Sequence, residues 1–150
     1  MTGAAGGTVH AGLIARRGGG YWRGVLIQGP SGAGKSDLAL RAFSEGFRLV
    51  ADDRVLLWTS GGRLFGRAPD TLRGAIEVRG LDVIRQPALT MSQVVLVVRS
   101  GAAERIPKLQ TIELLGISTP LLELDLRDLS APAKLSRALD LFDGADNRRI

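Results

Sequence analysis

The spacing of apolar residues changes on either side of residues 29–36. Before that stretch, Tyr21–Gln28 carries the run Val25-Leu26-Ile27, the length of one buried strand. After it, Leu38, Ala39, Ala42 and Phe43 share one face of a helix that the pattern predicts over Lys35–Glu45. Gly46 suits the cap of that helix, and Phe47–Ala51 follows as a strand. Upstream, Val9–Ala15 predicts a strand and Arg16–Gly20 a glycine-rich turn, so an N-terminal hairpin leads into residue 29. Downstream, Ser60-Gly61-Gly62 joins Val55–Thr59 to Arg63–Phe65 as a hairpin, and Arg67–Gly74 reads as a loop. Ala75–Gly80 is a short strand ended by glycine, and Leu81–Leu89 has no clear period. Val94–Val98, apolar at every position, predicts a strand buried on both faces. Arg99–Gln110 is polar and reads as a loop. Thr111–Leu126 predicts one or two strands turning near Ser118-Thr119-Pro120. Leu135, Ala138, Leu139 and Phe142 share a face of a helix over Ala133–Phe142, with Pro132 at its start. The pattern implies a single α/β domain over residues 1–150, with a mixed sheet, few helices, and loose tails at 1–8 and 144–150.

The stretch between strand and helix is Gly29-Pro30-Ser31-Gly32-Ala33-Gly34-Lys35-Ser36. It fits G-x-x-x-x-G-K-[ST], the phosphate-binding P-loop. Its glycines let backbone N–H groups converge, and the positive end of the following helix adds to that nest. In such a loop Lys35 reaches the β- and γ-phosphates and Ser36 offers its hydroxyl to magnesium. Element lengths then place a second group. Helix 35–45 rises about 16 Å, and the strand 47–51 returns about 16 Å. Asp52 and Asp53 therefore come back to the level of the P-loop, the sheet edge where α/β proteins bind ligands. Phosphoryl transfer needs a carboxylate for the attacking hydroxyl, and often another near the metal. Residue chemistry alone does not say which aspartate is the base. Glu77 and Arg79, two apart on a strand, could serve magnesium and phosphate, or form a surface ion pair. His10 is the chain's single histidine.

Charge sharpens this picture. Of the net +5, all sits in residues 1–75, which hold ten Lys/Arg against five Asp/Glu. That imbalance suits an anionic ligand or acidic partner. Nucleic acid fits poorly, because the basic residues are scattered and aromatics are few. There is no cysteine, hence no disulfide or thiolate metal site. No apolar run approaches ~18 residues, so no membrane span is expected. The start, MTGAAGGT, lacks the features of a signal peptide, and a cytoplasmic protein is the expectation.

Taken in order, V-H-A-G-L at 9–13, the P-loop, G-F-R-L-V-A-D-D at 46–53 and I-E-V-R-G-L at 76–81 resemble the catalytic domain of the HPr kinase/phosphorylase family. Residues 106–124 and 130–139 look like that family's short alphaproteobacterial-type members. The resemblance implies an ATP- and magnesium-dependent kinase acting on a serine of an HPr-type phosphocarrier of the sugar or nitrogen phosphotransferase system. It implies phosphorolysis of the phosphoserine as the reverse reaction. By that likeness Asp53 is the base, Lys35 binds phosphate, Ser36 and Glu77 hold magnesium with Asp52 beside them, and His10 is an active-site histidine. Arg105 matches an arginine of the family's loop. Members often form hexamers, which implies a homo-oligomer. The family's basic segment near the end is here Asp125-Leu126-Arg127-Asp128-Leu129-Ser130, partly acidic. Two rival readings share the P-loop. One is a small-molecule kinase or NTPase, with 99–110 as its lid; no [NT]-K-x-D motif supports a GTPase. The other is a non-catalytic nucleotide sensor, which would have no need of Asp53 or Glu77.

Overall fold

A computed structural model describes residues 6–102, 104–108 and 110–142. Eleven strands and two α-helices follow in chain order among these residues. They are β1 (Gly7–His10), β2 (Gly12–Gly18), β3 (Tyr21–Gln28), α1 (Lys35–Ala42), β4 (Arg48–Ala51), β5 (Arg54–Ser60) and β6 (Arg63–Arg67). Then come β7 (Ala75–Val78), β8 (Asp82–Arg85), β9 (Ser92–Ser100), β10 (Gln110–Leu114), β11 (Ile117–Leu124) and α2 (Ala131–Phe142).

Nine strands form one mixed sheet in the order β1-β5-β6-β9-β3-β2-β4, and β11 pairs with β9 and β10. The β3–β9 and β9–β11 pairs are parallel; β2–β3, β2–β4 and β5–β6 are antiparallel. β7 and β8 make a separate hairpin. Side chains alternate across the sheet, so each central strand feeds two cores. Ile14, Val25, Ile27, Leu96 and Val98 pack with Leu38, Ala39 and Ala42 of α1 and Leu135 and Leu139 of α2. Leu13, Leu26, Val94 and Val97 meet Val55, Leu57 and Leu64 of the β5–β6 limb on the opposite face. Burial on both faces accounts for the unbroken apolar runs of β3 and β9. No described helix is long and apolar enough to cross a membrane.

Several expected boundaries move. Residues 9–15 are not one strand: β1 pairs with β5, and β2, beginning at Gly12, pairs with β3 and β4. The residues expected to turn at 16–18 extend β2, and the turn is Gly19-Gly20, both at positive φ. Gly7 and Thr8, placed in a loose tail, belong to β1; the tail expected at 144–150 lies outside the described residues. The first helix is α-helical only to Ala42. A 3-10 turn completes it to Glu45, and Gly46 caps it at φ 88. The β10–β11 turn is at Leu115-Gly116, both at positive φ, rather than at Ser118–Pro120. Pro120, which has no N–H to donate, faces Thr111 just before β11 begins pairing with β9 at Leu121.

A candidate active site at the P-loop

α1 starts at Lys35, directly after Gly34 at φ 100, and its first helical hydrogen bond runs from Leu38 N to Gly34 O, 2.9 Å. The N–H groups of its first turn have no preceding carbonyl and are left to bind an anion. A Cβ on Gly29 would lie 2.9 Å from Ser100 Cβ, so the loop can pass β9 only as glycine. Lys35 Nζ donates to the carbonyl oxygens of Gly29 (2.7 Å) and Pro30 (3.1 Å), which folds the cation over the nest.

The two aspartates face different ways. Asp52 is 7% exposed. Its Oδ1 accepts the Ser36 hydroxyl at 2.7 Å, and its Oδ2 accepts the Glu77 N–H at 3.0 Å. One buried carboxylate thus holds the P-loop serine to the strand that carries Glu77. Both of its oxygens, expected to stand near a metal, are already engaged by protein donors. Asp53 is 60% exposed at its side chain and lies at φ 69. The Arg54 N–H donates back to Asp52 O at 2.8 Å, which makes Asp53 the apex of a tight turn. This backbone region is unfavourable for a residue with a Cβ, and it turns consecutive side chains apart: Asp52 inward, Asp53 to the cleft. His10, at the end of β1, brings Nδ1 to 3.5 Å from Asp53 Oδ1.

A cleft of about 310 Å³ gathers Lys35, Ser36, Asp53, Glu77 and Arg79 with Ser31, Gly32 and Gly34. Residues from the P-loop, the β4–β5 turn and the β7–β8 hairpin therefore share one space. Arg79 sits beyond β7 in the hairpin turn, not on the strand. Arg105 is not in this cleft. It lines a separate groove of about 400 Å³ between the loop after β9, β11 and α2. Two lining residues of the cleft escaped sequence reasoning: Asp37, in the first turn of α1, and Arg127, from the loop between β11 and α2. Nearby, Asp128 accepts from Lys134 Nζ at 2.8 Å and from the Ser130 N–H at 3.2 Å. These bonds, Lys134 first, hold its carboxyl below the ordinary value. Among the described residues no cluster of three or more carboxylates or histidines could hold a metal alone.

Comparison with known proteins follows the same lines. The family model described as the HPr Serine kinase C-terminal domain matches residues 7–91. The chain belongs to the HPr serine kinase C-terminal domain family. It is 36% identical over 124 residues to the HPr kinase/phosphorylase of Clostridium tetani, covering 78% of this chain and 41% of that protein. It is 49% identical over 65 residues to the HPr kinase/phosphorylase of Brevibacillus brevis, covering 43% of this chain and 21% of that protein. The chain thus spans less than half the length of these curated relatives. The solved structure of the Hpr(Ser) kinase/phosphatase from Coxiella burnetii matches with a TM-score of 0.76 at 26% identity, covering 89% of this chain and 94% of that one. The curled mixed sheet with two helices matches the fold of that solved structure, and membership of a kinase family implies use of ATP.

Proposed function

We propose that this chain transfers the γ-phosphoryl group of ATP to a serine hydroxyl of an HPr-type phosphocarrier protein. The observation that carries the reading is the split pair of aspartates. Asp52 is spent on architecture, while Asp53 is held by a strained turn in the cleft that the P-loop opens. Strain of this kind is retained where the surroundings enforce it, commonly at reactive sites.

Each group then has a task. Gly29, Pro30, Ser31, Gly32, Ala33 and Gly34 supply the backbone cradle for the triphosphate. Lys35 moves from its two carbonyls to the phosphates. Asp53 accepts the serine proton as the serine oxygen bonds to phosphorus and the bond to the β-phosphate oxygen breaks, releasing ADP. His10 orients the Asp53 carboxylate, and Arg79 steadies phosphate charge. In the opposite direction, inorganic phosphate attacks the phosphoserine phosphorus and leaves as pyrophosphate, while the bond to the serine oxygen breaks and Asp53 returns the proton to that oxygen. Arg105 is assigned no step from its position outside the cleft; a role for it needs movement of the loop after β9.

Magnesium fits the donor set. It takes oxygen ligands, relies on substrate phosphates and needs only one or two carboxylates. The Ser36 hydroxyl and the Glu77 carboxylate line one cleft and supply that chemistry. Asp52 fixes the direction of the Ser36 hydroxyl. When bound, the ion would neutralise charge building on the transferred phosphate. A homo-oligomer and a cytoplasmic location shared with the carrier belong to the same reading.

The test is to incubate the protein with ATP, magnesium and an HPr-type carrier and to map phosphate by mass spectrometry. A phosphoserine on the carrier, absent with Asp53→Asn, is expected. ATP hydrolysis without carrier labelling would replace the reading by a plain NTPase. Tight ATP binding without turnover would replace it by a nucleotide sensor.

A further inference from the structure

The cleft contains a cation that neither the P-loop motif nor the mechanism above employs. Arg127 Nη2 donates to the carbonyl oxygen of Gly32, in the middle of the P-loop, and the side chain lines the same cleft as Lys35, Ser36 and Asp53. The stem lies directly on the loop. A Cβ on Gly34 would come within 3.2 Å of Arg127 Cγ and 3.4 Å of Nε. Gly34 therefore serves two purposes: it reaches φ 100, and it leaves room for the arginine.

The arginine is also held from behind. Its backbone N–H donates to Asp125 Oδ1 at 3.0 Å. Arg41 of α1 reaches across to the carbonyl oxygens of Leu126 (2.5 Å) and Asp128 (3.1 Å). Thus α1, whose first turn forms the phosphate nest, carries the loop that presents Arg127. Such a brace fixes the position of the side chain's base while its end stays exposed. A carbonyl occupies one of five guanidinium donors and is a neutral partner. A phosphate group carries the opposite charge and can accept two parallel N–H bonds from the guanidinium fork, which a neutral carbonyl cannot. Lys35 is parked on loop carbonyls in the same way, at Gly29 and Pro30.

We propose that Arg127 is a phosphate-binding residue of the cleft. It exchanges the Gly32 carbonyl for the oxygens of a polyphosphate and confers preference for that chain of charges. The inference rests on the nucleotide reading above.

The experiment is calorimetric titration of the wild type, Arg127→Gln and Arg127→Lys with magnesium-ATP and, separately, with inorganic tripolyphosphate. Melting curves without ligand are taken for each. Arg127→Gln keeps the stem and loses the charge; it should bind both ligands about tenfold more weakly or worse. Arg127→Lys should recover part of that loss, because it restores the charge without the fork. The unliganded melting temperatures should agree within a degree or two, as expected for an exposed side chain. Equal binding of tripolyphosphate by wild type and Arg127→Gln would overturn the inference. So would equal losses in both variants accompanied by lowered unliganded melting, since that pattern means a structural brace. A wild type that binds neither ligand would instead sink the nucleotide reading itself.

Discussion

Asp52 gives the most quantitative handle on the site. Removing its carboxylate with Asp52→Ala strands two donors. The Glu77 N–H, at 3.0 Å, is a backbone group that cannot turn away. Losing a hydrogen bond to a charged acceptor in such a place costs about 1.5–3 kcal/mol. The Ser36 hydroxyl, at 2.7 Å, can rotate toward water and costs about 1 kcal/mol. The variant should therefore be about 3 kcal/mol less stable, or ~6–12 °C lower in Tm for a chain of this size. Asp52→Asn behaves differently. Its carbonyl can still accept from Glu77 N, so the stability loss falls to about 1 kcal/mol. Its NH₂ must then face Ser36, whose hydroxyl turns round to accept. The hydroxyl is left with one lone pair and turns its proton toward the cleft, and magnesium affinity should fall about 10–100-fold. Urea unfolding measures the first effect, and magnesium titration of nucleotide binding measures the second. Asp52→Ala within about 0.5 kcal/mol of wild type would refute this reasoning, as would Asp52→Asn equal to Asp52→Ala in stability.

Other expectations are briefer. Asp53→Gly should raise stability by about 1 kcal/mol, because glycine relieves the strain at φ 69, while abolishing transfer; a less stable variant would mean the turn is not strained. Gly34→Ala should weaken ATP binding by at least tenfold, because φ 100 is strained for a residue with a Cβ and that Cβ, 3.2 Å from the Arg127 stem, would press the arginine aside; fluorescence titration checks it. Arg16→Ala should cost about 2 kcal/mol, since this side chain ties Asp140 (2.6 Å) and Ser136 of α2 to β2 and covers the Phe47 ring; chemical denaturation reads it. For pH, the depressed carboxyl of Asp128 contributes stability above about pH 4 and loses it as pH falls through the lower folded value. The gap between wild type and Lys134→Met should therefore persist at pH 7 and close on acidification; a gap that widens in acid would refute the assignment.

What the sequence discloses of this site is what lies close along the chain. The P-loop is eight consecutive residues, and Asp52 and Asp53 follow it by one helix and one strand of calculable length. Arithmetic brought them home: the Ser36–Asp52 hydrogen bond spans only 16 positions. Glu77 entered the same cleft through a local strand signal. Arg127 was not singled out, although its segment was matched to the family's basic stretch, because its partner, Gly32, lies 95 positions away and Asp125 and Asp128 make that stretch partly acidic. The break at Ala11 was hidden because apolar alternation continues across it while the strand changes partners. The turn at Leu115-Gly116 was missed because Pro120 gave the stronger local signal, yet Pro120 sits in β11 one residue before its pairing with β9 begins, where no N–H need be donated to β9. β8 has little period to read, since Val83 points to solvent at 60% exposure.

The central claim is that Asp53 acts on a proton while the P-loop holds the triphosphate. Single-turnover transfer from γ-labelled ATP to the carrier, measured beside ATP affinity for wild type and Asp53→Asn, separates the two tasks. The account predicts unchanged ATP affinity within about threefold and a transfer rate lower by at least about a hundredfold in the variant. Transfer at the wild-type rate in Asp53→Asn would contradict it.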